Sequence, residues 1–263
     1  MTTRALVLAR GLGSRMRQAS DVTLDPQQAS AADAGLKAMM PFGRPFLDFV
    51  LQSLADAGVR ESALVLGPEH EPVRDYYRRL AMTRLRVTFV EQARPLGTAD
   101  AVLSARAWAG RHPFIVLNAD NLYPVDVLAR LAGGAHPAVP GFDAGSLAFS
   151  EDRLGAFGLL EAGPSGELAR IVEKPGAAAI RAAGPRALIS MNLWRFDERI
   201  FDACAEVPLS ARRERELPQA VQLAVSRGMS FEVIPVRGTV LDLSRREDVP
   251  HVARALEGRT INL

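Results

Sequence analysis

The first half of the chain alternates short strand-like runs with amphipathic helical segments, and this alternation limits the fold more than any other feature. Apolar or β-branched runs occupy residues 5–9, 62–66, 86–90 and 114–117. Between them, apolar residues recur at helical spacing, at Phe46, Phe49, Val50, Leu54 and Ala57 and again at Ala99, Val102, Leu103 and Ala107. The pattern predicts an α/β fold with a mixed, mostly parallel central sheet flanked by helices. Such sheets bind ligands at the carboxyl ends of their strands.

The second half has shorter strand-like runs and fewer helices between them. Strands are predicted at residues 146–149, 158–161, 169–173 and 188–196, and helices at residues 200–204, 218–227 and 249–256. A segment rich in Gly and Pro, residues 132–144, predicts a junction between the halves. We therefore expect a single domain over residues 1–263, with one functional half at about 1–131 and the other at about 145–263.

Composition excludes several classes of protein. The 32 basic and 30 acidic residues are well mixed, which argues against a nucleic-acid-binding surface. No run approaches the roughly 18 apolar residues of a membrane span, and no hydrophobic export region begins the chain, so we expect a cytoplasmic protein without membrane contact. The lone Cys204 predicts a core position, and the four scattered histidines do not favour zinc or triad chemistry. A homo-oligomer stays open.

The first strand-like run ends in a turn suited to binding phosphate. It breaks into Arg10-Gly11-Leu12-Gly13-Ser14-Arg15, so bare backbone N–H groups and a guanidinium follow the strand. An anion can accept several charge-assisted hydrogen bonds there. Met16 stands where the dinucleotide fingerprint has its third glycine, and no Walker Gly-Lys-Ser/Thr follows. An ordinary strand-to-helix corner is the alternative.

A polar, alanine-rich and weakly periodic stretch, residues 18–35, follows this turn. A loop of that length inside a compact domain is typically a lid or an insert. We expect either a lid that orders over bound nucleotide or an inert insertion.

Two aspartates are candidate ligands for Mg²⁺, which prefers carboxylate oxygens combined with phosphate oxygens. Asp120 directly follows the apolar run 114–119, at the predicted ligand-binding edge of the sheet. Asp242 has apolar neighbours on both sides, which is unusual unless something pairs with it. A capping turn at Asp120, and ion pairs of Asp242 with Arg245 or Arg246, are the alternatives.

The chain contains only two lysines among its 32 basic residues. Lys37 lies at the end of the polar stretch, and Lys174 lies in Glu173-Lys174-Pro175, where the proline ends a predicted strand. A lysine ammonium is a compact charge suited to one phosphate oxygen, whereas arginine prefers a bidentate contact. In isolation each lysine would be interpreted as a surface charge, but in company with the other motifs we interpret both as phosphate contacts.

A further candidate segment combines Gln92 with the Pro95-Leu96-Gly97 turn and Thr98, a predicted helix N-cap. Gln92 can offer a donor and an acceptor to a base edge, and Gly97 permits close backbone approach. A routine strand–turn–helix fits the segment equally well.

In this order the motifs resemble those of the nucleoside-diphosphate-sugar pyrophosphorylases, or sugar-1-phosphate nucleotidylyltransferases. The resemblance covers residues 4 to about 250 and implies a Rossmann-like, glycosyltransferase-A-type nucleotidyltransferase fold. It implies that Arg15 and Lys37 are catalytic and that Asp120 and Asp242 hold Mg²⁺. By the same resemblance the nucleotide contacts are Leu8, Ala9, Gly11, Gly13, Ser14, Gln92, Pro95, Gly97, Thr98 and Asn118, and the sugar-phosphate contacts are Asn121, Gly158, Glu173, Lys174 and Asn192.

The activity that this resemblance implies is Mg²⁺-dependent transfer of a nucleotidyl group from a nucleoside triphosphate to a sugar-1-phosphate. The products are an NDP-sugar and pyrophosphate. Because phosphoryl transfer needs alignment and charge neutralisation, it fits a chain that lacks a nucleophile signature. Two alternatives are a non-sugar acceptor such as phosphocholine and a non-catalytic nucleotide-sugar-binding regulatory subunit.

Overall fold

The structure is a computed structural model that describes residues 2–11 and 13–263. Its strands are β1 (Arg4–Leu8), β2 (Pro41–Phe42), β3 (Arg44–Pro45), β4 (Glu61–Leu66), β5 (Arg86–Glu91), β6 (Phe114–Asn118), β7 (Asn121–Leu122), β8 (Ala138–Asp143), β9 (Gly158–Ala162), β10 (Leu168–Glu173), β11 (Leu188–Ser190), β12 (Trp194–Phe196), β13 (Glu232–Val236) and β14 (Leu241–Asp242). Its α-helices are α1 (Pro26–Ala34), α2 (Phe46–Asp56), α3 (Glu71–Arg79), α4 (Thr98–Ser104), α5 (Arg106–Ala109), α6 (Val125–Gly133), α7 (Glu151–Leu154), α8 (Ala177–Ala183), α9 (Ile200–Glu206), α10 (Leu217–Ser226) and α11 (Val249–Leu256).

A 10-stranded sheet forms the centre of the molecule, in the order β10-β9-β11-β8-β12-β6-β1-β4-β5, with β13 paired to β8. Strands β6, β1, β4 and β5 are mutually parallel, while β10, β11 and β12 run opposite to the other strands of this sheet. The predicted mixed, mostly parallel sheet is confirmed. Two short ribbons, β2–β3 and β7–β14, lie outside it.

Alternate residues of β1 face two apolar layers, which explains why a continuous apolar run forms its centre. Ala5 and Val7 belong to a core that includes α2, whereas Leu6 belongs to a core built with α4, α9 and α10. A strand covered on both faces by helices must be apolar on both faces. The helices predicted around residues 46–57, 200–204, 218–227 and 249–256 are confirmed as α2, α9, α10 and α11.

Two predictions in the middle of the chain are wrong. Residues 146–149 are a turn and an irregular segment, because Ser146 donates its backbone N–H to Asp143 and closes the end of β8. The segment 132–144, predicted as a junction, contains β8 itself, whose residues are almost all buried. Buried neighbours on both sides, β11 and β13, outweigh the low strand propensity of Pro140 and Gly141.

The strand predicted at residues 188–196 is interrupted. It runs as β11 and β12, both paired with β8, and the break contains Asn192 with a φ of 55°. This left-handed conformation is uncommon for a residue with a side chain, although Asn adopts it more readily than most.

The polar stretch 18–35 contains helix α1 and is therefore not a continuous loop. The Asp25 carboxylate accepts the backbone N–H groups of Gln27 and Gln28, and Pro26 begins the helix. Gly35 ends it at a φ of 73°. These are standard helix start and stop signals that the weak apolar periodicity obscured.

Candidate active site

A cavity of about 330 Å³ opens at the carboxyl ends of β1 and β6. It is lined by every residue predicted to contact nucleotide or to be catalytic, namely Leu8, Ala9, Gly11, Gly13, Ser14, Arg15, Lys37, Gln92, Pro95, Gly97, Thr98 and Asn118, and also by Asp120. Leu8 and Asn118 are paired neighbours in the sheet register. Parallel strand pairing therefore brings together segments that are far apart in the sequence.

The glycine turn and the Lys37 segment meet through a close backbone contact. A Cβ atom on Gly13 would lie 2.4 Å from the Gly35 carbonyl oxygen, and the φ of Gly13 is +62°. Arg17 donates to the Ala34 carbonyl oxygen at 2.8 Å. The end of α1 is thus fixed against the turn, which places Lys37 in the cavity with Arg15 despite their long separation in sequence.

Arg15 and Lys37 differ in their surroundings. Arg15 is exposed, and its guanidinium makes no hydrogen bond or ion pair within residues 2–11 and 13–263. Lys37 is mostly buried, and its ammonium contacts a carboxylate oxygen of Asp120. Two cations in one cavity suit a polyanionic ligand, because each can neutralise separate phosphate oxygens.

The ribbon β7–β14 brings the two candidate metal ligands together. Asp242 pairs with Asn121, the residue after Asp120, and Leu243 donates its N–H to the Asp120 carbonyl oxygen at 2.9 Å. Burial raises the pKa of the Asp242 carboxyl, and the nearby Asp120 charge raises that pKa further. Two carboxylates that repel one another are a donor set that a divalent cation stabilises.

Asp242 is also held by protein donors. Its Oδ2 accepts from Arg153 at 2.8 Å, and its Oδ1 accepts from Asn121 and Ser244. Arg153 bridges to Asp248 at 2.6 Å. The alternative partners expected for Asp242, Arg245 and Arg246, do not pair with it; Arg246 contacts Asp33 and the Met16 carbonyl instead.

The carboxylates of Asp120 and Asp242 fit Mg²⁺ in donor chemistry. The part of the chain that the structure describes holds no group of three or more His, Cys, Asp and Glu side chains arranged for a metal. A magnesium ion held by one or two carboxylates takes its other ligands from phosphate oxygens and water. The pair is therefore suited to a metal that binds together with a nucleotide.

The turn after β5 is shaped by Gly97 and by a segment from the second half. Gly97 has a φ of +101°, and a Cβ atom there would lie 2.4 Å from the Arg215 carbonyl oxygen. Arg215 donates to Leu96 at 2.7 Å and accepts from Ala99 at 2.9 Å. The prediction of Thr98 as an N-cap is wrong: Gly97 is the N-cap of α4 and Thr98 begins the helix. The Thr98 hydroxyl instead accepts from the Leu217 N–H at the start of α10. Only glycine fits between these contacts.

Four of the five predicted sugar-phosphate residues lie in or beside strands of the second half of the sheet, whereas Asn121 lies on β7 outside it, and none of the five is in the cavity lining. The register aligns Glu173, Gly158 and Ser190 in one row across β10, β9 and β11. A Cβ atom on Gly158 would lie 2.8 Å from Oε1 of Glu173, so this glycine makes room for that carboxylate. Lys174 follows with a φ of 48°, a strained conformation of the kind that occurs at functional sites.

This row lies near the cavity. Although Glu173 is exposed by surface area, desolvation of its carboxyl group raises its pKa, and the charge of Glu216 raises that pKa further. Glu216 lines the cavity. The buried Tyr123, three residues after Asp120, donates its hydroxyl to the Met191 carbonyl oxygen at 2.5 Å. This hydrogen bond places the break between β11 and β12, which contains Asn192, beside the Asp120 segment.

Sequence reasoning missed several residues that line the cavity. These are His70, Arg212, Glu214 and Glu216, and Arg10, which stands in the glycine-turn motif but was given no role, lines it too. Arg212 pairs with Glu216 at 2.5 Å, and Arg10 donates to a carboxylate oxygen of Glu69 at 3.1 Å and to the Gln92 carbonyl oxygen. The charged run Arg212-Arg213-Glu214-Arg215-Glu216 was the only available signal, and it reads equally well as a solvated surface loop.

The sequence model of the family described as Nucleotidyl transferase matches residues 4–243. The chain belongs to this family. Its membership confirms the resemblance to sugar-1-phosphate nucleotidylyltransferases predicted from the motifs, since the match covers all of them.

Individual nucleotidyl transferases are similar to the chain at low identity. It is 28% identical to a glucose-1-phosphate thymidylyltransferase of Streptomyces antibioticus, over 96% of this chain and 66% of that protein. It is 24% identical to the UTP–glucose-1-phosphate uridylyltransferase AglF of Haloferax volcanii, over 98% of each chain. The chain thus spans slightly under two thirds of the first relative and almost all of the second.

Solved structures share the fold of this nucleotidyl transferase. A UDP-glucose pyrophosphorylase crystallised with UDP-glucose superposes with a TM-score of 0.77 at 19% identity, covering 97% of this chain and 98% of that one. A UDP-glucose pyrophosphorylase from Acinetobacter baumannii gives the same TM-score at 18% identity, covering 99% and 96%. The predicted Rossmann-like nucleotidyltransferase fold is confirmed. Among the described residues, no helix combines the length and apolar character needed to cross a bilayer.

Proposed function

We propose that this nucleotidyl transferase moves a nucleotidyl group from a nucleoside triphosphate to a sugar-1-phosphate and releases pyrophosphate. The observation that carries the proposal is the single cavity that unites the glycine turn, Arg15, Lys37, Asp120, Gln92 and Gly97. Relatives that act on glucose-1-phosphate and UTP, or transfer a thymidylyl group, support this substrate class. We propose a single functional domain whose second half binds the sugar phosphate.

The nucleoside triphosphate binds across the carboxyl ends of β1, β5 and β6. The backbone N–H groups of the glycine turn and the Arg15 guanidinium bind the β- and γ-phosphates, and Gln92 and Gly97 contact the base. Arg15 is suited to this task because no protein carboxylate in the described chain occupies its guanidinium. Its forked donors match phosphate oxygens.

The sugar phosphate binds against the row formed by Gly158, Glu173 and the strained Lys174. The Lys174 ammonium neutralises its phosphate, and Glu173 and Asn192 contact sugar hydroxyls. Asn121 lies between the two halves, where its side-chain amide donates to Asp242 at 3.1 Å. This placement orients the acceptor oxygen toward the triphosphate.

In the transfer step, an oxygen of the sugar phosphate attacks the α-phosphorus as the bond from that phosphorus to the bridging oxygen breaks. The electron pair of the broken bond leaves with pyrophosphate, which Arg15 stabilises. Lys37 stabilises negative charge on the transferring group. Alignment and fixed positive charge supply most of the rate enhancement in such reactions.

Asp120 and Asp242 would hold Mg²⁺. The ion would supply charge neutralisation at the phosphates. Because Lys37 contacts Asp120 in the structure, the ammonium must release that oxygen when substrate and metal bind. The positive charge then becomes available to the transferring phosphoryl group.

The test is pyrophosphate release by the purified chain with Mg²⁺. UTP, dTTP, GTP, CTP and ATP are each combined with a panel of sugar-1-phosphates, beginning with glucose-1-phosphate, and with phosphocholine. Product is verified by mass as the NDP-sugar, and omission of Mg²⁺ with added chelator tests the metal requirement.

We expect pyrophosphate and an NDP-sugar with at least one pair. Turnover with phosphocholine alone would show that the acceptor is not a sugar phosphate, and the row formed by Gly158, Glu173 and Lys174 would then need another role. Tight binding of an NDP-sugar without pyrophosphate from any pair would instead establish the regulatory alternative and overturn the transfer proposal.

A further inference from the structure

The hydrogen bonds of Gln92 determine which polar atom of its side chain is available to a ligand. Gln92 is only 3% exposed, and it lines the cavity. Its Nε2 group donates to the Gly97 carbonyl oxygen at 3.0 Å and to Oδ2 of Asp100 at 2.9 Å. A primary amide has two N–H donors and one oxygen acceptor. Both donors are therefore used within the protein, and Oε1 is the atom left for a ligand.

Asp100 makes this orientation the stable one. An amide flip would place Oε1 against the Gly97 carbonyl oxygen and the Asp100 carboxylate, which are both acceptors. Assignment of an amide orientation follows from such a network. The adjoining backbone is fixed as well, because the buried Arg10 guanidinium donates to the Gln92 carbonyl oxygen.

Gly97 supplies the complementary group. Its backbone N–H makes no hydrogen bond to any residue of the described chain, and the residue lines the same cavity. The cavity thus presents one acceptor, Oε1 of Gln92, and one donor, the Gly97 N–H, on the segment that joins β5 to α4.

We propose that Asp100 is a positioning residue that holds Gln92 as a hydrogen-bond acceptor and thereby selects a base with a ring N–H. This inference rests on the proposed function, which places the base at Gln92 and Gly97. Uracil, thymine and guanine present a ring N–H beside a carbonyl oxygen, and this pair matches Gln92 and Gly97. The sequence alone had allowed Gln92 to offer a donor as well as an acceptor.

Cytosine and adenine carry a bare ring nitrogen at that place. Set in the same position, this nitrogen would face Oε1 as acceptor against acceptor. Either base can satisfy the pair only after sliding by one ring position, so that its exocyclic amine meets Gln92. Such a shift would carry the ribose and the phosphates away from the glycine turn.

The experiment measures equilibrium binding of UTP, CTP, GTP and ATP by calorimetry, without sugar phosphate. Wild-type protein is compared with Asp100→Ala and with Asp100→Asn, which preserves the size of the side chain. Ser104→Ala is the control, because Ser104 lies on the same helix and its hydroxyl contacts only the Asp100 main-chain carbonyl oxygen. Thermal unfolding shows that each variant is folded.

We expect wild-type protein and Ser104→Ala to prefer UTP over CTP, or GTP over ATP, by about tenfold or more, the worth of one such contact. In Asp100→Ala this ratio falls to within about threefold. Asp100→Asn keeps most of the ratio, because its side-chain oxygen can still accept from the Gln92 Nε2 group. A purely structural role would weaken all four nucleotides equally and leave the ratio intact, which would overturn the inference. A wild-type preference for CTP or ATP would also overturn it. Because binding is read without turnover, failure of the transfer reaction is a separate result.

Discussion

Lys37 and Asp120 form a direct ion pair between a predicted catalytic cation and a predicted metal ligand. Lys37 is the only lysine of the first half, and a backbone contact between Gly13 and Gly35 places it there. The pair keeps both side chains neutralised when no nucleotide is present. The proposed separation of this pair on substrate binding makes the role of Lys37 measurable.

Lys37→Met should lower kcat by about 100-fold, the usual effect of removing one electrostatic stabiliser of the transition state. The KM for nucleotide should change much less, since Arg15 and the glycine turn remain. Steady-state kinetics with both substrates varied would measure this. Arg79→Met, at an exposed cation on α3, is the control. An equal rise in KM with unchanged kcat would assign Lys37 to ground-state binding instead.

Arg15→Ala should impair use of the nucleoside triphosphate, with a loss of about tenfold or more in nucleotide affinity, because a charge-assisted phosphate contact is lost. Binding of the triphosphate measured by calorimetry is the direct readout. Arg111→Ala is the matched comparison, because the Arg111 side chain is 94% exposed and lies outside the cavity lining. Equal effects of the two variants would contradict the assignment.

Lys174→Ala should chiefly raise the KM for the sugar phosphate, by roughly tenfold. Nucleotide binding should remain close to wild type, since no nucleotide contact is assigned to β10. Arg170→Ala, at an exposed position on β10 shortly before Lys174, tests whether loss of any cation there has the same effect. A loss confined to nucleotide affinity would remove Lys174 from the acceptor site.

Gly97→Ala should destabilise the protein by more than Gly58→Ala. Both glycines have a positive φ, +101° and +91°, but a Cβ atom at Gly58 meets nothing within 4 Å whereas one at Gly97 overlaps the Arg215 backbone. Strained backbone alone costs about 1–3 kcal/mol in each variant. The difference in free energy of unfolding from denaturant titration isolates the overlap, and equal values would show that the Arg215 segment moves aside.

Glu173 should make the stability of the fold depend on pH. Desolvation, followed by the charge of Glu216, raises the pKa of its carboxyl in the folded state. The protonated form is therefore favoured by folding, so this contribution to stability is present below the ordinary pKa of 4.5 and is lost as the pH rises through the folded value. Glu173→Gln should flatten the melting temperature across that window. Glu161→Gln, an exposed substitution of the same size on β9, separates this from a general surface effect.

The strands in the first half of the fold could be predicted from the sequence because buried parallel strands need continuous apolar runs, as in β1 and β6. The same reasoning failed for β8, where Pro140 and Gly141 suggest a turn but pairing on both sides stabilises a strand. The strand prediction across Asn192 also failed, because a local left-handed residue leaves no trace in an apolar pattern. Tertiary contacts determine such positions.

Residues for the candidate site were easiest to recognise where backbone geometry demands a particular residue type. Gly13 and Gly97 are each required by a positive φ and by a neighbouring carbonyl oxygen. Arg212 and Glu216 were missed because their segment is placed at the cavity by the backbone hydrogen bonds of Arg215 with Leu96 and Ala99. These hydrogen bonds join segments more than a hundred residues apart.

Strand β12 hydrogen-bonds to β6 on one side and to β8 on the other, so main-chain pairing crosses the boundary between the proposed nucleotide-binding and acceptor-binding halves. A hinge cannot operate at that boundary without breaking main-chain pairing in the middle of the sheet. If the two reactants bind as we propose, the continuous sheet beneath them sets the distance between them. Any closure around them must come from the surface segments above it, such as α1 and the stretch that carries Arg212.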